Sequence, residues 1–522
     1  MKKVLFKFLL FGCILPVRLF TQTNFLDTTF ASNGSAIITL NANGNYCSLE
    51  HAGLQSDGKI IAVGTTTADG GAKAFAVRLN ADGSRDASFG NGGEWLSEDP
   101  YFLISKEVLI QPDDKIVLTG RGAGHTKVVR LNPDGVYDNS FGEHGQCNLY
   151  IWAVTGQNVM VDMELQPDGK ILVSGYKNLE SAIVRLNVDG SLDTSFGSAG
   201  IVIVNPSLFL SAAYQVYGLK LGLSSDNSIL AAGVYTNNTV IHTGFIIRFN
   251  TNGQIDSVFG ENGISTFYDV TNYISDLFVL PNDEILVLCN FQDEASNYPK
   301  VTLSKWLSDG QIDSSFANQG YAQLNIGNMG TVCDNGFLQP DGKVVVLNIY
   351  KYPASIGSKA MMSRFNANGS IDTSIGVAGV ITAQEHETFY NGLVQPDGKI
   401  LSVSNYSISD ESTAGNIRRY LASNTVGAIE SASAISSAFL FPNPVTENSL
   451  TIAYELLKGS KVKIDLIGLK GEFLQTLINA ERPMGKNEEI LKLPENLETG
   501  TYFVNIQSES GNAVAKFLFI GH

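Results

Sequence analysis

Basic and acidic residues recur through the sequence in pairs with one constant spacing. In each pair an Arg or Lys is followed eight residues later by an Asp. The residues between them include Asn-x-Asp-Gly and its variants, which favour a tight turn because Asp hydrogen-bonds its own backbone and Gly tolerates positive φ. The spacing therefore predicts an ion pair across a hairpin. The pairs are Arg78 and Asp86, Arg130 and Asp138, Arg185 and Asp193, Arg248 and Asp256, Lys305 and Asp313, and Arg364 and Asp372.

Other residue types that support catalysis or metal binding are scattered. The six histidines fall in no HExxH spacing, and no GxSxG, Walker or GxGxxG pattern is present. Glu385-His386-Glu387 contains metal-ligating types, but consecutive strand residues point to opposite faces, so we expect a solvated loop. The Asn-x-Asp-Gly-x-x-Asp phrase lacks the ligand order of a calcium loop, and turn capping explains it. We predict no catalytic residues, no metal and no cofactor.

Two phrases recur seven times each and organise most of the chain. One is typified by Leu165-Gln166-Pro167-Asp168-Gly169-Lys170, and its turn residue returns at intervals of 55 to 59 residues. The other contains the basic and acidic pairs. Each repeat holds four short apolar runs without helical period, separated by turn residues, which indicates four antiparallel strands. Seven such repeats predict an all-β fold, a seven-bladed β-propeller.

The phrases QPDGKILVSG and VVRLNPDG, followed by DxSFG, resemble the delta-sixty repeat, which is common in secreted proteins of bacteria that use type IX secretion. The resemblance covers roughly residues 24–421. The fourth and fifth copies depart from it at 224–228, 280–284 and 305–307, where we expect less regular blades. The family implies no settled activity.

The N-terminus predicts a targeting segment. Met1-Lys2-Lys3 precedes an apolar run that extends to Val17, which is too short to span a membrane comfortably. We assign 1–22 to a signal peptide and 23–421 to the propeller. An uncleaved N-terminal anchor and lipidation at Cys13 are the alternatives.

The C-terminal residues differ from the repeats in pattern. Residues 422–437 are small and polar, as in a linker, and 438–522 hold short alternating strands that predict a small Ig-like β-sandwich. This region resembles a type A sorting domain of the type IX secretion system, which implies a partner in that machinery, export across the outer membrane, and release or surface attachment. An ordinary terminal sandwich domain is the alternative. The residues that match the signature are Pro442, Asn443, Pro444, Gly468, Gly471, Gly485, Gly500 and Tyr502.

Composition narrows the range of partners. The net charge of −16 and pI near 4.9 oppose binding to nucleic acid or anionic lipid. Four cysteines follow the predicted signal peptide without a metal or disulfide spacing, so we expect free thiols. We expect a monomer.

Strand order indicates where a ligand would bind. Both Asp-Gly turns of a repeat lie at one end of the blade, and the longer, variable connections at the other end are rich in aromatic residues. Some of these aromatics would instead fill gaps between blades. The candidates are Tyr101, Trp152, Tyr217, Tyr235, Tyr298, Tyr352 and Tyr390, with Tyr150 and Tyr406 among the further ones.

Three hypotheses about function follow. The first is a non-catalytic secreted or surface-attached propeller that binds a carbohydrate or a protein. The second is a carbohydrate-active enzyme, a lyase or glycosidase, for which two or more carboxylates should converge in a cleft. The third is a passive structural component of the cell surface without a deep pocket.

Two charged residues lack a partner at the eight-residue spacing. Asp27 lies too close to the mature N-terminus, and Arg419 meets only Gly427 eight residues later. Both are explained if a strand near 35–40 completes the seventh blade beside the strand of Arg419, which would join the chain ends. The alternative leaves both residues exposed and closes the ring by packing alone.

Overall fold

The protein was examined as a computed structural model in which the chain divides into two compact units, Met1–Asn424 and Thr425–His522. The division falls inside the predicted linker. The structure describes residues 25–40, 46–68, 71–99, 102–121, 125–150, 159–177, 180–205, 208, 213–237, 242–267, 270–293, 298–324, 330–352, 360–383, 387–409, 412–422, 435–441, 445, 447–456, 458–468, 473–508 and 511–520.

The described residues of the first unit form seven antiparallel sheets, which we number as blades in chain order. Blade 1 contains β2 (Cys47–Leu54), β3 (Ile60–Ala68), β4 (Gly71–Leu79) and β5 (Glu94–Leu96). Blade 2 contains β6 (Leu103–Ile110), β7 (Ile116–Arg121), β8 (Thr126–Leu131) and β9 (Gln146–Leu149). Blade 3 contains β10 (Val159–Leu165), β11 (Ile171–Lys177), β12 (Glu180–Leu186) and β13 (Ile201–Val204).

The next blades continue the same order, with an irregularity in blade 6. Blade 4 contains β14 (Ala213–Leu223), β15 (Ile229–Asn237), β16 (His242–Phe249) and β17 (Ile264–Phe267), and blade 5 contains β18 (Val270–Val279), β19 (Ile285–Asp293), β20 (Tyr298–Trp306) and β21 (Tyr321–Gln323). In blade 6 the first strand is split into β22 (Gly330–Val332) and β23 (Asn335–Leu338), followed by β24 (Val344–Tyr352), β25 (Met361–Phe365) and β26 (Val380–Thr382).

Blade 7 joins the two ends of the propeller chain. It contains β27 (Glu387–Val394), β28 (Ile400–Ser409) and β29 (Ser412–Tyr420), and its outer strand is β1 (Ser35–Ile38) from the N-terminus. Ser35 pairs with Arg418 in this ladder, and Arg419 Nε lies 2.8 Å from Asp27 Oδ2. The predicted strand exchange and its ion pair are therefore confirmed.

Apolar side chains hold neighbouring blades together. The first strand of each blade packs on the first strand of the next, and β2 packs on β27 to complete the circuit. The buried clusters accordingly mix residues of adjacent blades, and the phenylalanine of the DxSF phrase is fully buried in blades 1 to 4. The propeller-like, all-β arrangement that the repeats predict is confirmed.

The second unit contains two antiparallel sheets around one core. One sheet has the order β30 (Ile435–Phe441), β31 (Ser449–Leu456), β34 (Gly485–Lys492), and the other has the order β33 (Phe473–Arg482), β32 (Ser460–Ile467), β35 (Gly500–Ser508), β36 (Gly511–Phe519). Val445, Ile452, Leu466 and Phe517 are buried in the core between them. Its classification as Ig-like stays a prediction.

Candidate functional site

The predicted ion pairs form and also connect neighbouring blades. In blade 1, Arg78 Nε donates to Asp86 Oδ2 at 2.8 Å, and its guanidinium lies 5.0 Å from the centre of the Phe89 ring. Arg78 Nη1 donates to the carbonyl oxygen of Pro133, in the Asn-x-Asp-Gly turn of blade 2. One Arg thus ties together its own hairpin and the turn of the next blade, and we call this unit the clamp.

Six junctions between blades carry the clamp. The Arg of each blade donates to a carbonyl oxygen of the following blade in the pairs Arg78–Pro133, Arg130–Val188, Arg185–Thr251, Arg248–Ser308, Arg364–Ala422 and Arg419–Ala81. Most Asp members also contact the Lys of the Gln-Pro-Asp-Gly-Lys turn, as Lys170 contacts Asp193 at 3.3 Å. Burial raises the pKa of Asp193, but hydrogen bonds from Ser195 and Lys170 and the Arg185 charge outweigh it and lower the pKa to about 2.

The junction between blades 5 and 6 differs from the other six. Lys305 replaces the Arg, and its ammonium contacts Glu284 at 2.7 Å and Asp313 at 3.2 Å within blade 5. Ala317 replaces the glycine whose N–H, in Gly142 for example, donates to the next turn. Within the described part of the chain, neither Lys305 nor the Ala317 N–H forms a hydrogen bond to blade 6.

At two other junctions, a residue that departs from the repeat in one blade contacts a residue that departs from it in the next blade. Ser56 takes the place of the turn proline in blade 1, and Asp114 takes the place of the turn glycine in blade 2, with φ of 62°. The Asp114 carboxylate accepts hydrogen bonds from the Ser56 backbone N–H at 2.7 Å and from its hydroxyl. Ser225 and Asp283 repeat this contact between blades 4 and 5. The sequence departures in these copies therefore add contacts between blades.

The structure describes only some of the aromatic residues that the sequence analysis predicts for a binding face. Tyr101 and Trp152 lie outside the described residues, while Tyr217, Tyr298 and Tyr352 lie in the strands β14, β20 and β24. Tyr235 is half-buried and packs on Phe245, with 6.4 Å between ring centres. Tyr390 has 39% of its surface exposed. Their role as a ligand-binding face stays a prediction.

A second set of side chains, which the sequence analysis missed, converges on the propeller axis. The residue four positions before the Gln of the Gln-Pro-Asp-Gly turn, or its equivalent, is polar in all seven blades. The first strand has an irregular register near this position in most blades, as between Met160 and Asp162 and between Phe389 and Asn391. We call the set the axial ring: His51, Glu107, Asp162, Lys220, Asp276, Asn335 and Asn391.

The members from blades 2 to 5 form a charged arc. Lys220 Nζ lies 3.7 Å from Asp162 Oδ1 and 3.8 Å from Asp276 Oδ1. Each carboxyl group also accepts a hydrogen bond from the backbone of the following blade. These bonds run from Met163 N to Glu107, from Leu221 N to Asp162 and from Gly336 N to Asp276. The arc is therefore a chain of contacts from blade to blade.

Burial sets the protonation of the charged arc. It raises the pKa of Glu107 well above its usual value, and the neighbouring Asp162 charge adds to the effect. Burial also raises the pKa of Asp276 to about 6, although the Lys220 charge opposes it. Two positions after Asp162 on β10, burial and the Asp162 charge raise the pKa of Glu164 to about 8. The carboxyl groups of the arc therefore ionise less readily than exposed acids.

The remaining members, from blades 6, 7 and 1, form a neutral arc. Asn335 Nδ2 donates to the carbonyl oxygen of Tyr390, and Gly392 N donates to Asn391 Oδ1. Burial lowers the pKa of His51 to about 4, and the charge of Lys220 lowers it further. Blades 1 and 4 are not neighbours, so the Lys220 charge acts on His51 from across the ring.

The sorting-domain residues are also only partly described. Pro442, Asn443, Pro444 and Gly471 lie outside the described residues, whereas Gly468 directly follows β32. Gly485 begins β34 with φ of 99°, and Gly500 begins β35. The Tyr502 ring stacks on Phe517 with 5.8 Å between centres, and its hydroxyl donates to the carbonyl oxygen of Glu498 at 2.9 Å.

The solvated loop that we expect at Glu385-His386-Glu387 is wrong for Glu387. Glu387 does not lie in a solvated loop, because it begins β27, is buried, and pairs with Arg418 at 3.1 Å while accepting a hydrogen bond from Ser404. Glu385 and His386 lie outside the described residues.

The described ranges also bear on the cysteines, on metal binding and on membrane insertion. Cys47, Cys147, Cys289 and Cys333 are free thiols, as predicted. No group of three or more His, Cys, Asp or Glu residues in these ranges is placed to hold a metal ion. The same ranges contain no helix of the length and apolarity needed to cross a membrane.

A signal for the axial ring was present in the sequence. The first strand is mostly apolar, yet one position carries a polar residue in every copy. When the seven copies are aligned by their turns, this polar position of the first strand becomes visible. Repeated phrases do not reveal it, because the residue type changes from copy to copy.

Family models match both units. A beta-propeller domain of unknown function, DUF5122, matches residues 55–89, 111–141, 166–196 and 224–259. Each match runs from the first position of the Gln-Pro-Asp-Gly turn to the phenylalanine of the DxSF phrase. A secretion system C-terminal sorting domain matches residues 439–520.

Solved structures with related folds have low identity to this chain. The β-propeller domain of the Trilobed protease from Pyrococcus furiosus is 10% identical with a TM-score of 0.42, over 75% of this chain and 99% of that one. Semaphorin 2a from Drosophila is 9% identical with a TM-score of 0.40, over 95% and 98%. A protein from Lactobacillus plantarum is 11% identical with a TM-score of 0.40, over 83% and 99%.

No curated protein matches the chain. The two family matches agree with the two units of the structure and with both resemblances found in the sequence. The sorting domain implies export by the type IX secretion system, to the cell surface or into the medium. The chain thus carries DUF5122 β-propeller repeats in its first unit and a secretion system C-terminal sorting domain in its second.

Proposed function

We propose that the exported propeller is a non-catalytic binding protein that takes a carbohydrate or protein ligand at the end of the blades opposite the Asp-Gly turns. The observation that carries the proposal is the difference between the two ends. The turn end is occupied by clamps that tie one blade to the next. Residues committed to such contacts are not available for a ligand.

Exposed aromatic rings favour the opposite end. Tyr46 precedes β2, Tyr150 follows β9, and Tyr406 lies near the end of β28, so all three are remote from the turns. Their exposed fractions are 39%, 65% and 38%. The Tyr150 ring also lies 5.0 Å from the ring of His125, which fixes its orientation. Exposed, oriented tyrosines present flat apolar faces that suit sugar rings or peptide side chains.

The carboxyl groups on the axis fit this proposal better than an enzyme. Glu107, Asp162 and Asp276 converge, as a glycosidase would require. However, all three accept backbone hydrogen bonds from the following blade, and Lys220 lies between Asp162 and Asp276. These contacts between neighbouring blades engage all three carboxyl groups and favour a structural role for them.

Binding should be tested with the exported protein purified from the medium or the cell surface. A glycan array and a pull-down from the secretome should each be probed with the parent protein, with Tyr150→Ala and Tyr406→Ala, and with Val258→Ala at the turn end as a control. We expect saturable binding to one ligand class, weakened by at least one tyrosine variant and unchanged by Val258→Ala. Absence of binding in both screens would overturn the proposal.

A further inference from the structure

The neutral arc of the axial ring lies beside an exposed aromatic ring. Asn335 in blade 6, Asn391 in blade 7 and His51 in blade 1 occupy equivalent positions of consecutive blades. Tyr390 immediately precedes Asn391, at the register shift of β27, and its ring is exposed. A bulge of this kind turns a side chain away from the regular alternation of the strand. Two amides and an imidazole therefore occupy equivalent axial positions, and an exposed phenol ring directly precedes one of the amides in the chain.

The neutral arc has unused hydrogen-bonding capacity. Asn335 uses its Nδ2 on the Tyr390 carbonyl oxygen, and Asn391 uses its Oδ1 on the Gly392 N–H. In the described ranges, Asn335 Oδ1 and Asn391 Nδ2 have no hydrogen-bond partner. Both residues are partly exposed, so an acceptor and a donor remain open to a ligand.

His51 adds a second acceptor without adding charge. Its Nδ1 lies 3.0 Å from the Ala52 carbonyl oxygen, which can only accept, so Nδ1 carries the proton. The low pKa of this imidazole, about 4, keeps it neutral in ordinary media. Nε2 is then an acceptor, and the arc carries no formal charge.

Neutral donors and acceptors beside an aromatic face are the chemistry that recognises uncharged sugars. A sugar hydroxyl both donates and accepts, so it can satisfy Asn391 Nδ2 and Asn335 Oδ1 or His51 Nε2 together. The face of a sugar ring is apolar and packs on an aromatic ring. An ionic ligand would find no opposite charge in this arc, because the acids and Lys220 of the other arc contact each other and the backbone.

We propose that the neutral arc, formed by Asn335, Tyr390, Asn391 and His51, is a binding site for an uncharged carbohydrate. The ring of Tyr390 stacks on one sugar unit, and the two amides and the imidazole bind its hydroxyl groups. This inference rests on the proposed binding function and specifies its ligand class, at a site on the axis that is separate from the exposed tyrosines of the blade ends.

Isothermal titration of the exported protein with uncharged oligosaccharides tests the site. The probes are cellohexaose, maltohexaose, xylohexaose and mannohexaose, with oligogalacturonate as the charged comparison. Asn391→Asp keeps the side-chain shape and the Gly392 bond but replaces the Nδ2 donor by a carboxylate oxygen. We expect at least one uncharged probe to bind, about tenfold weaker to Asn391→Asp, weaker still to Tyr390→Ala, and no binding of oligogalacturonate.

The matched control is Asn252→Asp, the same exchange at an exposed turn residue of blade 4 where other repeats already carry Asp. It should bind like the parent, and melting curves should show that all variants are folded. Binding that Asn391→Asp and Tyr390→Ala leave unchanged would overturn the axial site but not the binding function. Binding of a protein or of oligogalacturonate alone would overturn the ligand class. Absence of any ligand would overturn both proposals.

Discussion

The clamp and the axial ring occupy fixed positions of the same repeat, yet they differ in how their residues vary. The clamp position is Arg in six blades and Lys in one, whereas the axial position carries five residue types in seven blades. Every clamp Arg meets the same kinds of partner, an Asp carboxylate and a backbone carbonyl oxygen of the next blade, although the Asp of Arg419 comes from the N-terminal segment. An axial residue instead contacts another variable residue, the backbone of the following blade or, at His51 and Asn391, the backbone of its own strand.

The pKa values of the carboxyl groups at the two positions are also shifted in opposite directions. Hydrogen bonds and the Arg charge hold the pKa of the clamp carboxyls Asp138 and Asp193 near 2, so these groups stay ionised. Burial raises the pKa of the axial carboxyls Glu107, Asp162 and Asp276, so they ionise less readily than exposed acids. A repeated residue thus marks a contact that every blade needs, while a varied polar residue marks a position adjusted to its own neighbours.

The largest effect should come from breaking the clamp that closes the ring. Arg419→Met leaves Asp27 buried with only Lys399 as a cationic partner, and removing one member of a buried pair costs about 3 kcal/mol. We expect this loss in the free energy of unfolding, measured by urea denaturation. Arg248→Met, at a more exposed clamp, should cost less. Equal losses in both variants would contradict a special role for closure.

A smaller effect, dependent on pH, should come from Glu164. Its folded-state pKa, about 8, lies above the ordinary value of 4.5. The folded protein therefore keeps a proton that the unfolded chain releases, and stability falls as pH rises through this range. Glu164→Gln should raise the free energy of unfolding by about 1–2 kcal/mol at pH 8 and leave it unchanged at pH 4.

Asp193 provides the control with the opposite sign. Its folded-state pKa, about 2, lies below the ordinary 3.8, so its contribution is present above pH 3.8 and is lost as pH falls toward 2. Asp193→Asn should therefore flatten the acid limb of the stability profile and leave the slope between pH 5 and 8 intact. A Glu164→Gln gain that is the same at pH 4 and pH 8 would contradict the assignment.

Restoring the missing clamp should stabilise the junction between blades 5 and 6. Lys305→Arg with Ala317→Gly recreates the residues of the other junctions and places Gly where φ is 43°. We expect a gain of about 1 kcal/mol in the free energy of unfolding. Hydrogen exchange of the blade 6 turn, 366–370, should slow as well. Unchanged exchange in this turn would show that the clamp does not reach it.

The smallest effect should come from the compensating pair Ser56 and Asp114. Ser56 is exposed and Asp114 is half-buried, so a double-mutant cycle with Ser56→Ala and Asp114→Asn should give a coupling of about 0.5 kcal/mol. Asn is chosen because it tolerates the positive φ of Asp114. Additive single effects would mean that the two departures are independent.

Much of the fold could be predicted because its determinants are local. The Asn-x-Asp-Gly turn and the eight-residue spacing bring Arg185 and Asp193 together within one hairpin, so no distant residue is needed. The same spacing, unsatisfied at Asp27 and Arg419, predicted the strand that closes the ring. The burial of Glu387 could not be predicted, because its partner Arg418 lies on another strand of the closing blade.

The strand pattern, the repeat period, the hairpin ion pairs and the sorting domain follow from the amino-acid sequence, since each depends on residues close together in the chain. The contacts of Lys220 with Asp162 and Asp276, and of Asn335 with Tyr390, depend on the folded propeller. These residues lie more than 50 positions apart in successive repeats. Closure of the ring turns the first strand of every blade toward one axis, and that juxtaposition gives the varied polar residues their partners.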